Sequence, residues 1–133
     1  MSDESRVLAG ILLLALVTVE TGGLYLLRVV RGSAAATPFQ LAFARAGHAH
    51  AGVLLVLALV CQLLADTAAL TGLWDWVARS GVAVAALLMP GGFFLSSLGA
   101  GRDRPNGLVA MVFAGAAVLA LGLASLGVGL LTA

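Results

Sequence analysis

The sequence predicts an all-α protein, a transmembrane four-helix bundle with up-and-down antiparallel topology, as a single integral membrane domain over residues 1–133. Three observations predict it. The chain is 62% hydrophobic with 10% charged residues and a mean hydropathy of +1.12, far outside the usage of soluble domains. Four windows, about Val7 to Val30, Gly47 to Leu64, Val77 to Leu98 and Gly107 to Leu131, each approach the ~20 apolar residues with which a helix crosses ~30 Å of hydrocarbon. All four are continuously apolar, whereas a membrane barrel alternates residue by residue.

The first window follows Asp3, Glu4 and Arg6. Ser33-Ala-Ala-Ala-Thr37 has the small residues of a leader cleavage site, but the run before it is long and its amino end acidic, so a permanent helix is expected. Loop one then runs from Arg31 to about Ala46, with Thr37 as a helix cap, Pro38 at a first helical position and an interfacial helical turn over Phe39 to Phe43 leading into the second span. The second window holds the lone Cys61, which excludes an intrachain disulfide. Gln62 and Asp66, four apart, share a face that either lines a polar entrance or caps the helix.

Trp74 and Trp76 flank Asp75 ahead of the third window, where indole rings favour the membrane interface. Pro90-Gly-Gly92 lies inside that window and removes the backbone bond to Ala86, so a kink is expected there. Arg102-Asp-Arg-Pro-Asn-Gly107 reads as a polar reversal into the fourth window. Close helix contact is expected at Gly22-Gly23, Gly47, Gly52, Gly115 and Gly122, because small residues let backbones approach in lipid.

All seven basic residues are arginine. Arg28, Arg31, Arg45, Arg102 and Arg104 fall in loops one and three, against Arg6 and Arg79 on the other side, so five against two places loops one and three in the cytoplasm and both termini outside.

Ionisable groups at membrane depth are costly and mark functional sites. Glu20 precedes Arg28 by eight residues, which puts it roughly 12 Å inside the boundary at a rise of ~1.5 Å per residue. His50, five residues past Arg45, is roughly 7 Å inside the same boundary. If the first two spans pack antiparallel, Glu20 can meet His50 or His48 and act as a proton relay or fix a ring tautomer. The two histidines project ~200° apart on a helix and cannot ligate one ion together. A conventional zinc site is therefore not expected.

A b-type heme asks for one axial imidazole, small residues beside the porphyrin plane and cations for its propionates. His50, with His48 as the alternative, supplies the imidazole; Ala49, Ala51 and Gly52 are small; Arg45, Arg28 and Arg31 are the cations. The segment His50-Ala-Gly-Val-Leu-Leu-Val-Leu57 also resembles the start of the second transmembrane helix in the heme-copper oxidase catalytic subunit superfamily. It is similar as well to the His-x-His start of the second span in small four-span bacterial membrane proteins that look distantly related to that superfamily. This resemblance covers about ten residues. It implies heme ligation at His50 in a bacterial cytoplasmic membrane. The superfamily's other histidines have no counterpart, so oxygen reduction is not implied.

Three functions follow as expectations. The first is a heme-binding membrane protein for electron transfer or sensing, homo-oligomeric. Another is a small oligomeric proton or cation channel or transporter using Glu20 and the histidines. The third is a non-catalytic accessory subunit of a larger membrane complex. No catalytic residue is expected, and no hydrolase nucleophile, phosphate-binding loop or nucleic-acid patch is present.

Overall fold

A computed structural model describes residues 1–133. Four helices run α1 (Asp3–Val30), α2 (Pro38–Ala65), α3 (Gly72–Ser96) and α4 (Ala110–Leu131), the last entered through a 3-10 turn at Gly107–Val109. The chain is all-helical, and all four helices are long and apolar enough to cross a membrane. Consecutive helices pack together as an up-and-down bundle.

Three helices start earlier than hydropathy alone suggests, each for a local reason. Ser2 caps α1 by accepting from the Ser5 N–H, with Asp3 and Glu4 in the positive first turn. Thr37 and Gln40 form a reciprocal capping box with Pro38 at the first position, so α2 starts at the expected cap and the helical turn over Phe39 to Phe43 leads without a break into the span. At α3, Gly72 takes φ +61 and the chain enters the helix before Trp74, so both indoles lie in its first turns. Pro90 sits inside α3, whose helical run continues to Ser96.

The helices are buried very unequally. Half of the most apolar stretch of α3 is buried but only 6% of that of α1, so α3 is the centre and α1 the periphery. The core comprises Leu54, Leu55, Ala58, Cys61 and Ala65 of α2, Ala78, Val82, Ala86 and Met89 of α3, Leu12 of α1 and Leu126 of α4.

Between α3 and α4 the backbones nearly touch. A Cβ on Gly81 would lie 2.8 Å from the Gly122 Cα, and one on Gly92 would lie 2.7 Å from the Val112 backbone nitrogen. At Gly115 it would meet Met89 at 2.5 Å. Gly47 is similarly covered by the Phe94 ring at 3.0 Å. Gly52, by contrast, has no neighbour within 4 Å of its missing side chain, so the close contact expected there does not form. Lipid tails are as apolar as leucine, and this close approach supplies the dispersion contacts that water would otherwise drive.

Side chains pin both ends of the bundle. Gln40 Nε2 donates to the carbonyls of Ser97 (3.0 Å) and Gly99 (2.7 Å), Thr37 donates to the carbonyl of Arg102, and Asn106 Nδ2 donates to that of Leu95 (3.1 Å). This docks the α3–α4 loop onto the start of α2. At the opposite end the Ala69 N–H donates to Gly129 O (3.1 Å) and Ser125 Oγ to Trp74 O (2.9 Å).

Replacing Gly122 or Gly81 by valine forces the α3 and α4 backbones apart and is expected to cost about 1–3 kcal/mol. Gly127→Ala, with nothing within 4 Å, is the control and should be neutral or slightly stabilising. Thermal denaturation in detergent separates them; equal melting of Gly122→Val and Gly127→Ala would show that the glycine contact is not structural.

Candidate functional site

The two histidines lie about three turns into α2 and turn away from each other, as their spacing requires. His48 faces α1, where its ring fills the notch left by Gly22 and Gly23. A Cβ on Gly22 would lie 3.1 Å from His48 Nδ1, and one on Gly23 would lie 3.5 Å from Cε1. No hydrogen bond engages either His48 nitrogen. His50 faces α3, its ring centroid 5.0 Å from that of Phe93. Its Nδ1 lies 2.7 Å from the carbonyl oxygen of Ala46, one turn back. A carbonyl only accepts, so Nδ1 is the donor, and in the neutral ring the lone pair is on Nε2.

Two shallow, open grooves flank the ridge of exposed Ala49 and Val53 between the rings. The groove on the His48 side has about 420 Å³ and is lined by Val19, His48, Ala49, Gly52, Val53 and Val56. That on the His50 side has about 180 Å³ and is lined by Ala49, His50, Val53 and Leu54. Gly52, expected beside His50, thus belongs to the His48 groove.

Glu20 does not join either histidine. It is exposed on α1 and makes no hydrogen bond or ion pair within the chain. Arg28, Arg31 and Arg45 are exposed at the same end of the bundle and likewise form no ion pair. No three His, Cys, Asp or Glu side chains converge as a metal-binding group.

The densest polar cluster lies at the opposite end, around a residue that the sequence offers only as a topology signal. The Arg79 side chain is 10% exposed and forks between two carboxylates: Nε donates to Asp75 (2.8 and 2.9 Å) and Nη1 to Asp66 Oδ1 (2.7 Å). Nη1 also reaches the hydroxyls of Ser5 and Ser2. Ser5 Oγ donates in turn to Asp66 Oδ1 (2.9 Å) and to the Gln62 carbonyl (3.1 Å). Gln62, fully buried, donates through Nε2 to the Arg79 carbonyl (2.6 Å), and its Oε1 has no partner. Gln62 and Asp66 therefore tie α2 to α1 and α3 instead of lining an entrance. Asp66 and Asp75, two acids spaced thirteen and four residues from one arginine, are the sequence signal of this cluster.

The Arg79 guanidinium, with help from the Ser2 N–H and the serine hydroxyls, holds the Asp66 carboxyl well below the usual carboxylate range.

Comparison with family models, with curated proteins and with solved structures finds no match to this chain.

A carboxyl whose folded pKa is depressed contributes stability above its unfolded value of ~4 and loses it as pH falls towards the folded value. Thermal stability of the wild type should therefore be flat above about pH 5 and fall below about pH 4, whereas Asp66→Asn should start lower and lose less across that window. Parallel acid loss in both would assign the dependence to other groups. Arg79→Ala leaves both carboxylates without their cation and is expected to cost about 3 kcal/mol in the same assay.

Proposed function

We propose that this chain is a multi-pass protein of a bacterial cytoplasmic membrane that holds a b-type heme through His50 and serves electron transfer or sensing as an oligomer. The observation that carries the reading is the Nδ1 to Ala46 contact of 2.7 Å. It fixes the tautomer whose Nε2 is free to bond a metal, and a backbone acceptor behind an imidazole raises its basicity as a ligand.

Fit to the group is partial within one protomer. His50 would supply a nitrogen ligand, with Phe93 against its ring and the small Ala49 in the lining of the adjoining groove. That groove, about 180 Å³, gives a porphyrin one wall and not an enclosure. The second wall belongs to another copy or to lipid, in keeping with an oligomer. Arg45 and Arg28 are the cations for anionic substituents at the boundary, and His48 is the alternative axial residue. Bound there, heme would supply reversible one-electron chemistry; the chain's part is to present Nε2, orient the ring and keep water from it.

The arginine distribution supports termini outside. Arg6 pairs with Asp3 and Arg79 with Asp66 and Asp75, while the five arginines at the histidine end form no ion pair.

A second reading, an oligomeric proton or cation pathway, is favoured by one observation: Glu20 and His48 are both without partners within the chain. Its mark is a colourless protein whose flux in proteoliposomes is lost in Glu20→Gln.

Protein purified after expression with added heme precursor should show a Soret band that survives His48→Ala and disappears in His50→Ala. A colourless wild type, or a band unchanged in His50→Ala, overturns the heme reading.

A further inference from the structure

Glu20, His48 and His50 lie within the apolar length of the bundle's histidine half, where the hydroxyls of Thr18 and Thr21 donate to carbonyls of their own helix. Of Glu20, His48 and His50, only the last has a side-chain hydrogen bond, from Nδ1 to the Ala46 carbonyl. Glu20 stands out from α1 among exposed Leu13, Val17 and Leu24. His48 lies beneath an open groove of about 420 Å³ with its nitrogens unbonded. A carboxyl facing hydrocarbon and an imidazole without a partner are both costly there, and each is the natural partner of the other.

They occupy one depth. The His48 ring rests on Gly22 and Gly23, two and three residues from Glu20, which is roughly 3–4.5 Å along the helix axis. They also share one side of the molecule. Val19 and His48 both line the seam between α1 and α2. On antiparallel neighbours a step of one residue turns both helices towards the same flank, so Glu20 and Ala49, the residues that follow, face out together.

We infer that two copies of this chain pack through the outer face of α1 and α2, with Glu20 of each copy bonded to His48 of the other. A two-fold axis along the membrane normal preserves depth, so a group and its complement at one level in a single chain meet automatically in the pair. Ala49, Val53 and Val56 form the small ridge on which the copies approach. Lipid tails offer neither a donor nor an acceptor, and a second copy offers both at the required level. The pairing is independent of whether His50 holds heme: a colourless protein that dimerises this way leaves it standing.

The test is dimerisation of the full chain in liposomes, read by energy transfer between two labelled populations as lipid is added. Each single variant, Glu20→Leu or His48→Leu, removes both symmetric contacts and is expected to weaken the dimer by about tenfold. The exchanged pair, Glu20→His with His48→Glu in one chain, is expected to recover it. Because His48→Leu also disturbs the contact with Gly22 and Gly23, a second measurement uses an otherwise intact face. In a Cys61→Ser background, Val53→Cys should cross-link copies in membranes, and Leu121→Cys, exposed on α4, should not. A wild type that stays monomeric, single variants that pair like wild type, or cross-linking at Leu121→Cys in place of Val53→Cys overturns the proposal.

Discussion

Arg79 is the one cation buried among the helices, and what it binds fixes three of them. Asp75 lies one turn before it on α3, Asp66 ends α2, and Ser5 with Ser2 begins α1. Each partner alone is weak. Together they bring the end of α2 and the starts of α1 and α3 to one point, and Gln62 closes the cluster from below by donating to the Arg79 carbonyl. An ion pair in this setting gains little against its desolvation but is expensive to break on one side, which suits it to fixing position more than to adding stability.

That constraint explains why so little else holds α1. In lipid no water drives apolar faces together, so helices associate through close backbone approach and polar bonds. α3 and α4 use the first, with Gly81 against Gly122 and Gly92 against Val112. α1 has no such seam along its length. It is held at one end by Ser5 and the Arg79 cluster, between by Leu12 with Ala15, Leu16 and Val19 against the core, and near the other end by the His48 ring in its Gly22-Gly23 notch. The outer face between those anchors is left open, and it is the face that carries Glu20 and the groove beside His48. Peripheral packing of α1 and the exposure of the candidate chemistry are thus one fact.

Hydropathy made the four spans legible, because every residue of a spanning helix contributes to that signal. Helix starts were less so: Ser2 and Gly72 extend α1 and α3 beyond the apolar windows through a cap and a left-handed entry that mean hydropathy does not register, whereas the start of α2 was legible in Thr37-Pro38. The divergence of His48 and His50 followed from helical periodicity alone. Which of them met α1 did not, since it depends on the direction in which α3 packs. Gly115 and Gly122 announced a contact, whereas Gly81 and Gly92 acquired theirs from α4. The largest miss was the Arg79 cluster: its members are 13 to 77 residues apart in sequence except for the pair with Asp75, and arginine near a span boundary reads first as a topology signal.

The two ends of the bundle consequently differ in kind. One is neutralised and locked by ion pairs, and the other carries unpaired arginines, the hydrogen-bonded His50, and Glu20 and His48 without a hydrogen bond. The proposed chemistry is assigned to the second because the polar groups of the first are bonded to one another. The most direct measurement of this division is the distance distribution between spin labels at Val7 on α1 and Trp76 on α3, recorded in bilayers for wild type and Arg79→Met. The account predicts a single narrow distance in wild type that broadens and lengthens in the variant, while a label pair on α3 and α4 is unchanged. An equally narrow, unshifted distance without the guanidinium would contradict it.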